Sequence, residues 1–199
     1  MEKILVGGLF FLAGFLIVGW FFILGYCSRL ARNVMNGVQR PLPEWDELGD
    51  MFGEGLRLFI VVFLYLLPIV VVAVLIGVPA ALMNAVRNES AEMLGAGISG
   101  CMVCLIVPFS LAISLWLPAA MLRSVSTNSI GGGFEFAAIW AFIRDNAMNY
   151  LLAIVIYFIA RFIAGFGFIL LCIGLIFTGF WALLIQTYGF AQVWRLRRP

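Results

Sequence analysis

The chain has 199 residues, 64% of them hydrophobic and 11% charged, with a formal net charge of +2 and a mean hydropathy of +1.12. Soluble domains are about half apolar and about a quarter charged. Apolar runs of about 20 residues that recur along so short a chain cannot all be hidden in one soluble core, whereas each can cross a hydrocarbon layer of about 30 Å. The length leaves room for one polytopic membrane domain, 1–199, and none for a separate soluble catalytic domain. The small net charge argues against nucleic acid as a partner.

In chain order, the first apolar run covers residues 4–26 and comes after only Met1, Glu2 and Lys3. It exceeds a signal-peptide core and lacks a basic leader and a clear cleavage site, so it reads as a retained first span. Gly7, Gly14 and Gly25 fall on one face of that helix, a face suited to close packing on another helix. A basic segment with Arg29, Arg32 and Arg40 comes next, then a stretch opening at Pro41 and Pro43. There Trp45, Leu48, Phe52 and Leu56 share one helical face while Asp46, Asp50 and Glu54 recur every four residues on another, which predicts an amphipathic helix lying along the interface. The acidic face is either simply solvated or neutralised by Arg29, Arg32 and Arg40 or by a basic partner surface.

Residues 58–86 predict a second span, kinked by Pro68 and extended beyond Gly77 and Pro79. A short polar turn leads to a third span, 93–122, with Pro108 and Pro118 and with Ser110 and Ser114 one turn apart. Those serines suit hydrogen bonds back to backbone freed by a proline, or the lining of a solute path. After Arg123 a Ser/Thr/Asn-rich link and Gly131–Gly133 precede a second interfacial helix, anchored by Phe136, Trp140 and Ile143. A fourth span starts near Asn149 and turns at 164–167. The fifth covers 168–191, ahead of the basic residues Arg195, Arg197 and Arg198.

The expected fold is therefore all-α, with about five transmembrane helices and two amphipathic interfacial helices on the cytoplasmic side. Nine arginines come after spans one, three and five, against Lys3, Arg87 and Arg161 on the other side. That bias places the amino terminus outside and the carboxyl terminus in the cytoplasm. The order of span, linker, tryptophan-bearing interfacial helix and returning span occurs twice, in 4–86 and 93–166, a weak parallel repeat with 168–191 as an extra element.

The string Gly25-Tyr26-x-x-Arg29-x-x-Arg32, then Gly37-x-x-x-Pro41-Leu42-Pro43-Glu44-Trp45-Asp46 and Phe52-x-x-Gly55-Leu56, resembles the opening of a prokaryotic multi-pass membrane family known only as a domain of unknown function. The later segments from Phe136 to Leu151 and from Gln186 to Gln192 resemble its second half, so the likeness covers nearly the whole chain. The resemblance implies a multi-pass fold in a prokaryotic cell membrane and supplies no catalytic residues.

Histidine is absent, which removes the commonest metal ligand and general base. Cys101 and Cys104 form a C-x-x-C spacing without a second pair and inside an apolar run, where thiols usually act as small hydrophobes. All ten acids lie at interfaces or in loops, against an intramembrane proton relay or aspartyl chemistry. No enzyme activity, cofactor or metal is expected. Arg161, about 12 residues into span four, either snorkels, pairs with Glu92 or Glu89, or anchors an anion such as a lipid phosphate.

These features point to a non-enzymatic scaffold or accessory subunit of a membrane complex, with membrane lipids and a protein partner or a second copy as ligands. Docking is expected through Asp46, Asp50 and Glu54 and through Arg195, Arg197 and Arg198. The alternative is a transporter or channel for a lipidic or small neutral solute, suggested by the proline-bearing spans.

Overall fold

The computed structural model describes residue 6 and residues 18–86, 88–167 and 173–196, apart from the side chains at 84, 89, 173, 175 and 176. Gly7, Gly14, Arg197 and Arg198 lie outside the described residues, as does most of the expected first span. Among the described residues the protein is all-helical: α1 (Val18–Met35), α2 (Leu48–Ala85), α3 (Glu89–Thr127), a 3-10 turn (Gly131–Phe134), α4 (Phe136–Asp145), α5 (Ala147–Gly165) and α6 (Ile173–Leu196). Three stretches, Leu48–Met83, Ser90–Thr127 and Ala147–Gly165, are long and apolar enough to cross a membrane.

Contacts divide the chain into two compact units, one of residues 1–61 with 118–199 and one of residues 62–117. In the first unit α6 packs on both α1 and α5. The α5–α6 seam is built from Ala160, Ala164 and Ala182 with Ile185 against them. Small side chains let two helix backbones approach where surrounding lipid offers no hydrophobic drive of its own. The Thr178 hydroxyl sits in this seam, 2.9 Å from the Ala164 carbonyl oxygen and 2.8 Å from that of Gly174. Between α1 and the start of α2 the contact is closer still. A methyl group at Gly55 would fall 1.6 Å from the Phe21 carbonyl oxygen, and one at Gly25 would fall 1.9 Å from that of Met51. Only glycine fits at either place. Phe21 closes the same crossing edge-on against Phe52 and Phe59, at 5.1 and 4.9 Å.

The second unit is a helical hairpin made of the later part of α2 and the earlier part of α3. Asn88 starts α3 as an N-cap, its side-chain oxygen accepting from the Ser90 amide at 3.1 Å. Within the hairpin Trp116 Nε1 donates to the Tyr65 hydroxyl at 3.1 Å. Apolar residues such as Leu75, Leu82, Met93 and Leu105 are exposed, and the most apolar stretch of α3 has no buried residue. A helix apolar on all sides and unburied in its own chain has the character of a membrane-crossing helix or of one covered by a partner.

The structure departs from the sequence reading around Trp45. Residues 48–56 form no separate helix along an interface; they are the first turns of the 38-residue α2. After Pro43 the stretch contains no further proline until Pro68, so nothing between them removes an amide donor and the helix runs on unbroken. Trp45 precedes the helix and shares no helical face with Leu48 and Phe52. The third span is likewise longer than 93–122, running continuously as Glu89–Thr127. By contrast α4 is a distinct helix, because at Asn146 the backbone leaves helical geometry (φ −120°, ψ 25°) before α5 begins.

Candidate functional site

The densest polar chemistry of the first unit lies where α1 ends and α2 begins. The segment between them is held by groups on α1 itself. Asn33 Nδ2 donates to the Pro41 carbonyl at 2.9 Å and the Tyr26 hydroxyl to the Pro43 carbonyl at 3.2 Å. The two prolines fix φ and have no N–H of their own, so the strap is fastened through its carbonyls. Trp45 then lies flat on Tyr26, ring centres 4.4 Å apart and planes 23° apart, with Phe180 of α6 nearby. The residues of the Gly25–Leu56 string thus meet in space: Tyr26 with Pro43 and Trp45, Phe21 with Phe52, and the two glycines at the helix crossing.

The arginines of the string meet its acids. Arg29 lies 4.0 Å from Asp46, 3.3 Å from Glu47 and 3.8 Å from Glu54, while Arg32 bonds Glu54 at 3.0 Å. Arg29 and Glu54 are largely buried, each with 15% of its side chain exposed. Arg29 and Arg32 thus neutralise Glu54 from within the chain, while the Asp46 and Glu47 side chains keep 67% and 66% of their surface exposed. Asn128, just past the end of α3, accepts from both Arg32 and Arg57. The Glu54 Oε2 atom is buried and has no hydrogen-bond partner, a cost that the two nearby guanidinium groups offset electrostatically.

A cavity of about 760 Å³ opens over this cluster, lined by Arg29, Arg32, Arg57, Glu47, Glu54 and Asn128 among others. Two of these, Glu47 (φ 49°) and Asn128 (φ 53°), are the non-glycine residues with left-handed backbone among those described. That conformation is uncommon outside glycine and costs about 1 kcal/mol or more where it occurs. At Glu47 it lets the carbonyl accept from the Met51 amide as α2 starts.

Of the remaining residues singled out in the sequence, Asp50 is exposed in the first turn of α2. Leu48 is exposed, and Phe52 is half-buried against Phe21 and Phe22. On α4, Phe136 and Trp140 are 57% and 58% exposed while Ile139 and Phe142 on the opposite side are buried; Ile143 is half-buried. Arg195 is exposed on the last turn of α6, its guanidinium packed beside Gly37. Arg161 is exposed on α5 and Glu92 is exposed on α3, in different units. Ser114 donates back to the Leu111 carbonyl at 2.8 Å. Cys101 and Cys104 are free thiols, and no cluster of three or more metal-type ligands occurs among the described residues.

Sequence reasoning missed Met51, Gly55 and Asn128 as parts of this centre. Gly55 stood in the string that carried the family resemblance, so its signal was present. Met51 is fully buried although it lies outside the apolar face read from Trp45, Leu48 and Phe52. Asn128 carried no signal beyond its residue type, since asparagine tolerates the left-handed conformation better than most.

A second cavity of the same unit, about 670 Å³, is a mainly apolar groove between α1, α5 and α6, lined also by Pro41 and Leu42.

No curated protein and no solved structure matches the chain. The family model described as "Protein of unknown function (DUF4013)" matches residues 8–192, and the chain belongs to that family.

Proposed function

We propose that the protein is a non-enzymatic, multi-pass integral membrane protein that serves as a scaffold or accessory subunit and binds lipid and protein partners. The observation that carries this reading is the division of labour between the two units. The hairpin of residues 62–117 exposes apolar side chains that need lipid or another membrane helix around them. The charged groups at the α1–α2 junction bond one another and fasten the chain's own segments, an arrangement that serves architecture.

In this proposal five spans cross the cell membrane of a prokaryote, with the amino terminus outside and the carboxyl terminus in the cytoplasm, in line with the arginine bias. The α4 face of Phe136 and Trp140 lies in the cytoplasmic leaflet boundary, where tryptophan partitions well. The pairs made by Arg29 change which acids can dock a partner. Glu54 belongs to the internal cluster, whereas Asp46 keeps 67% of its side chain exposed beside Arg29, which leaves Asp46, Asp50 and Arg195 as the exposed docking candidates.

Native mass spectrometry of tagged protein, extracted with its own lipid from the source cell, tests the reading. A foreign subunit in stoichiometric amount, lost on Asp50→Lys or Arg195→Glu, supports the accessory role. A chain that carries only lipid in every preparation overturns it and favours the lipidic-solute alternative, for which the apolar groove is the structural argument.

A further inference from the structure

We infer that a third cavity, where the ends of α1, α3 and α6 meet, is a binding site for the phosphate group of a phosphoester. It goes beyond the accessory-subunit reading and does not depend on it, because every lining residue belongs to the unit of residues 1–61 with 118–199.

The cavity has a volume of about 700 Å³ and takes Arg32 and Asn36 from the end of α1, Asn128 from just past α3, and Trp194 and Arg195 from α6. No carboxylate lines it. Arginines near the carboxyl end of a helix often serve that helix's last carbonyls. Here the carbonyls are already bonded. At α1 those of Arg32, Asn33 and Val34 accept from the amides of Asn36, Val38 and Gly37, each at 3.0 Å. At α3 the Val125 carbonyl accepts from the Asn128 amide at 3.3 Å, and that of Arg123 accepts from the hydroxyls of Ser126 and Thr127. The guanidinium groups are thus left for another ligand.

Each polar group then has donors to offer. Arg32 is held through Nη1 by Glu54 and through Nη2 by Asn128, which fixes its fork and leaves its other N–H groups. The Asn128 side-chain oxygen accepts from both Arg32 and Arg57. What Asn128 has left to give is therefore its amide N–H pair. Arg195 has no carboxylate or carbonyl partner among the described residues, and its Nη2 would lie 3.1 Å from a methyl group at Gly37, which places it over the end of α1. The partial negative charge of helix carboxyl ends works against an anion. The affinity must then rest on the guanidinium groups, and on Arg195 above all, since Arg32 already has an acid.

Donors that come from three elements select a ligand that accepts from several directions. A tetrahedral phosphate does so, whereas the two oxygens of a carboxylate lie in one plane, and guanidinium forks match phosphate oxygens in pairs. The volume exceeds that of a bare ion and admits the alcohol portion of an ester.

The full chain in a neutral maltoside detergent, shown free of lipid by native mass spectrometry, is titrated calorimetrically with inorganic phosphate at constant ionic strength. One saturable site per chain is expected. Arg195→Gln is expected to weaken it about tenfold, the worth of one hydrogen bond to a charged group. Asn128→Asp keeps the acceptor for Arg32 and Arg57 and tolerates left-handed backbone, but removes the N–H pair and adds a negative charge. Binding is expected to be lost in that variant while the melting temperature holds; should it fail to fold, Arg195→Gln decides alone. Arg144→Gln makes the same change of net charge outside the cavity, at a side chain 69% exposed, and is expected to bind normally. No saturable binding, unchanged affinity in Arg195→Gln, or equal weakening by Arg144→Gln overturns the site. Glycerol 3-phosphate and dioctanoyl phosphatidic acid then identify the source, each corrected for micelle partition with the Asn128→Asp chain. Tighter binding of the acylated ligand supports the site as one for a lipid headgroup, and equal binding supports it as one for a soluble phosphoester.

Discussion

At Gly55 there is no room for a single carbon, because the Phe21 carbonyl oxygen occupies the place where a Cβ would go. Gly53, two residues earlier, has nothing within 4 Å of that position. Gly55→Val should therefore lower the stability of the detergent-solubilised protein by more than about 3 kcal/mol, the upper end of ordinary overpacking, read as a fall in melting temperature. Gly53→Ala should leave it unchanged or raise it by up to about 1 kcal/mol through helix propensity. Arg29 makes the complementary case for charge. Replacing it with Met leaves Glu54 and its unsatisfied oxygen with Arg32 alone, a loss of about 3 kcal/mol for a pair this buried. Glu54→Gln added to that variant should recover most of the loss, measured by the same melting experiment; no recovery would show that Arg29 acts through something other than the acid. Trp45→Ala removes a stacked ring and its contact with Phe180, with an expected cost of about 2 kcal/mol.

Among the elements, α2 and α4 resolve the two stretches that look alike as sequence. Both carry apolar residues at helical spacing, yet residues 48–56 continue into a helix long and apolar enough to cross a membrane while 136–145 stop at Asn146. The difference lies in the residues on the C-terminal side of each. An uninterrupted apolar run begins at Leu58, whereas Asn146 turns its side chain back to the Phe142 carbonyl at 3.0 Å and ends the helix. If the exposed side of α4 faces lipid, a variant retaining Trp140 as its sole tryptophan should be quenched by brominated lipid far more than one retaining only Trp45, which is stacked within the protein. Equal quenching would remove α4 from the interface.

For the whole molecule, the arginine distribution predicts sidedness. With accessible native cysteines replaced, Gln39→Cys and Asn88→Cys place thiols at two exposed positions, expected on opposite faces of the membrane. A membrane-impermeant maleimide added to intact cells should label Asn88→Cys, and Gln39→Cys should be labelled only after lysis. The reverse pattern would invert the proposed topology. Labelling of both in intact cells would remove the sidedness altogether.

Hydropathy and helical spacing determined by themselves that this chain is helical and carries stretches fit for a bilayer, because those properties depend on composition averaged over about 20 residues. The Gly25–Leu56 string was legible as a pattern, though its physical content was not: a strap fastened by carbonyls, a tryptophan laid on a tyrosine, and two glycines at a crossing are pairings between residues far apart in the chain. Periodicity gave the wrong role to Trp45, since a spacing of three or four residues places a side chain on a helical face only if the helix has already begun. The tertiary structure alone decided that Arg29 and Arg32 neutralise Glu54, that Asn128 joins Arg32 to Arg57, and that a groove runs between α1, α5 and α6. Each depends on which helices pack together and in what register, and distant contacts leave no periodic trace along the chain.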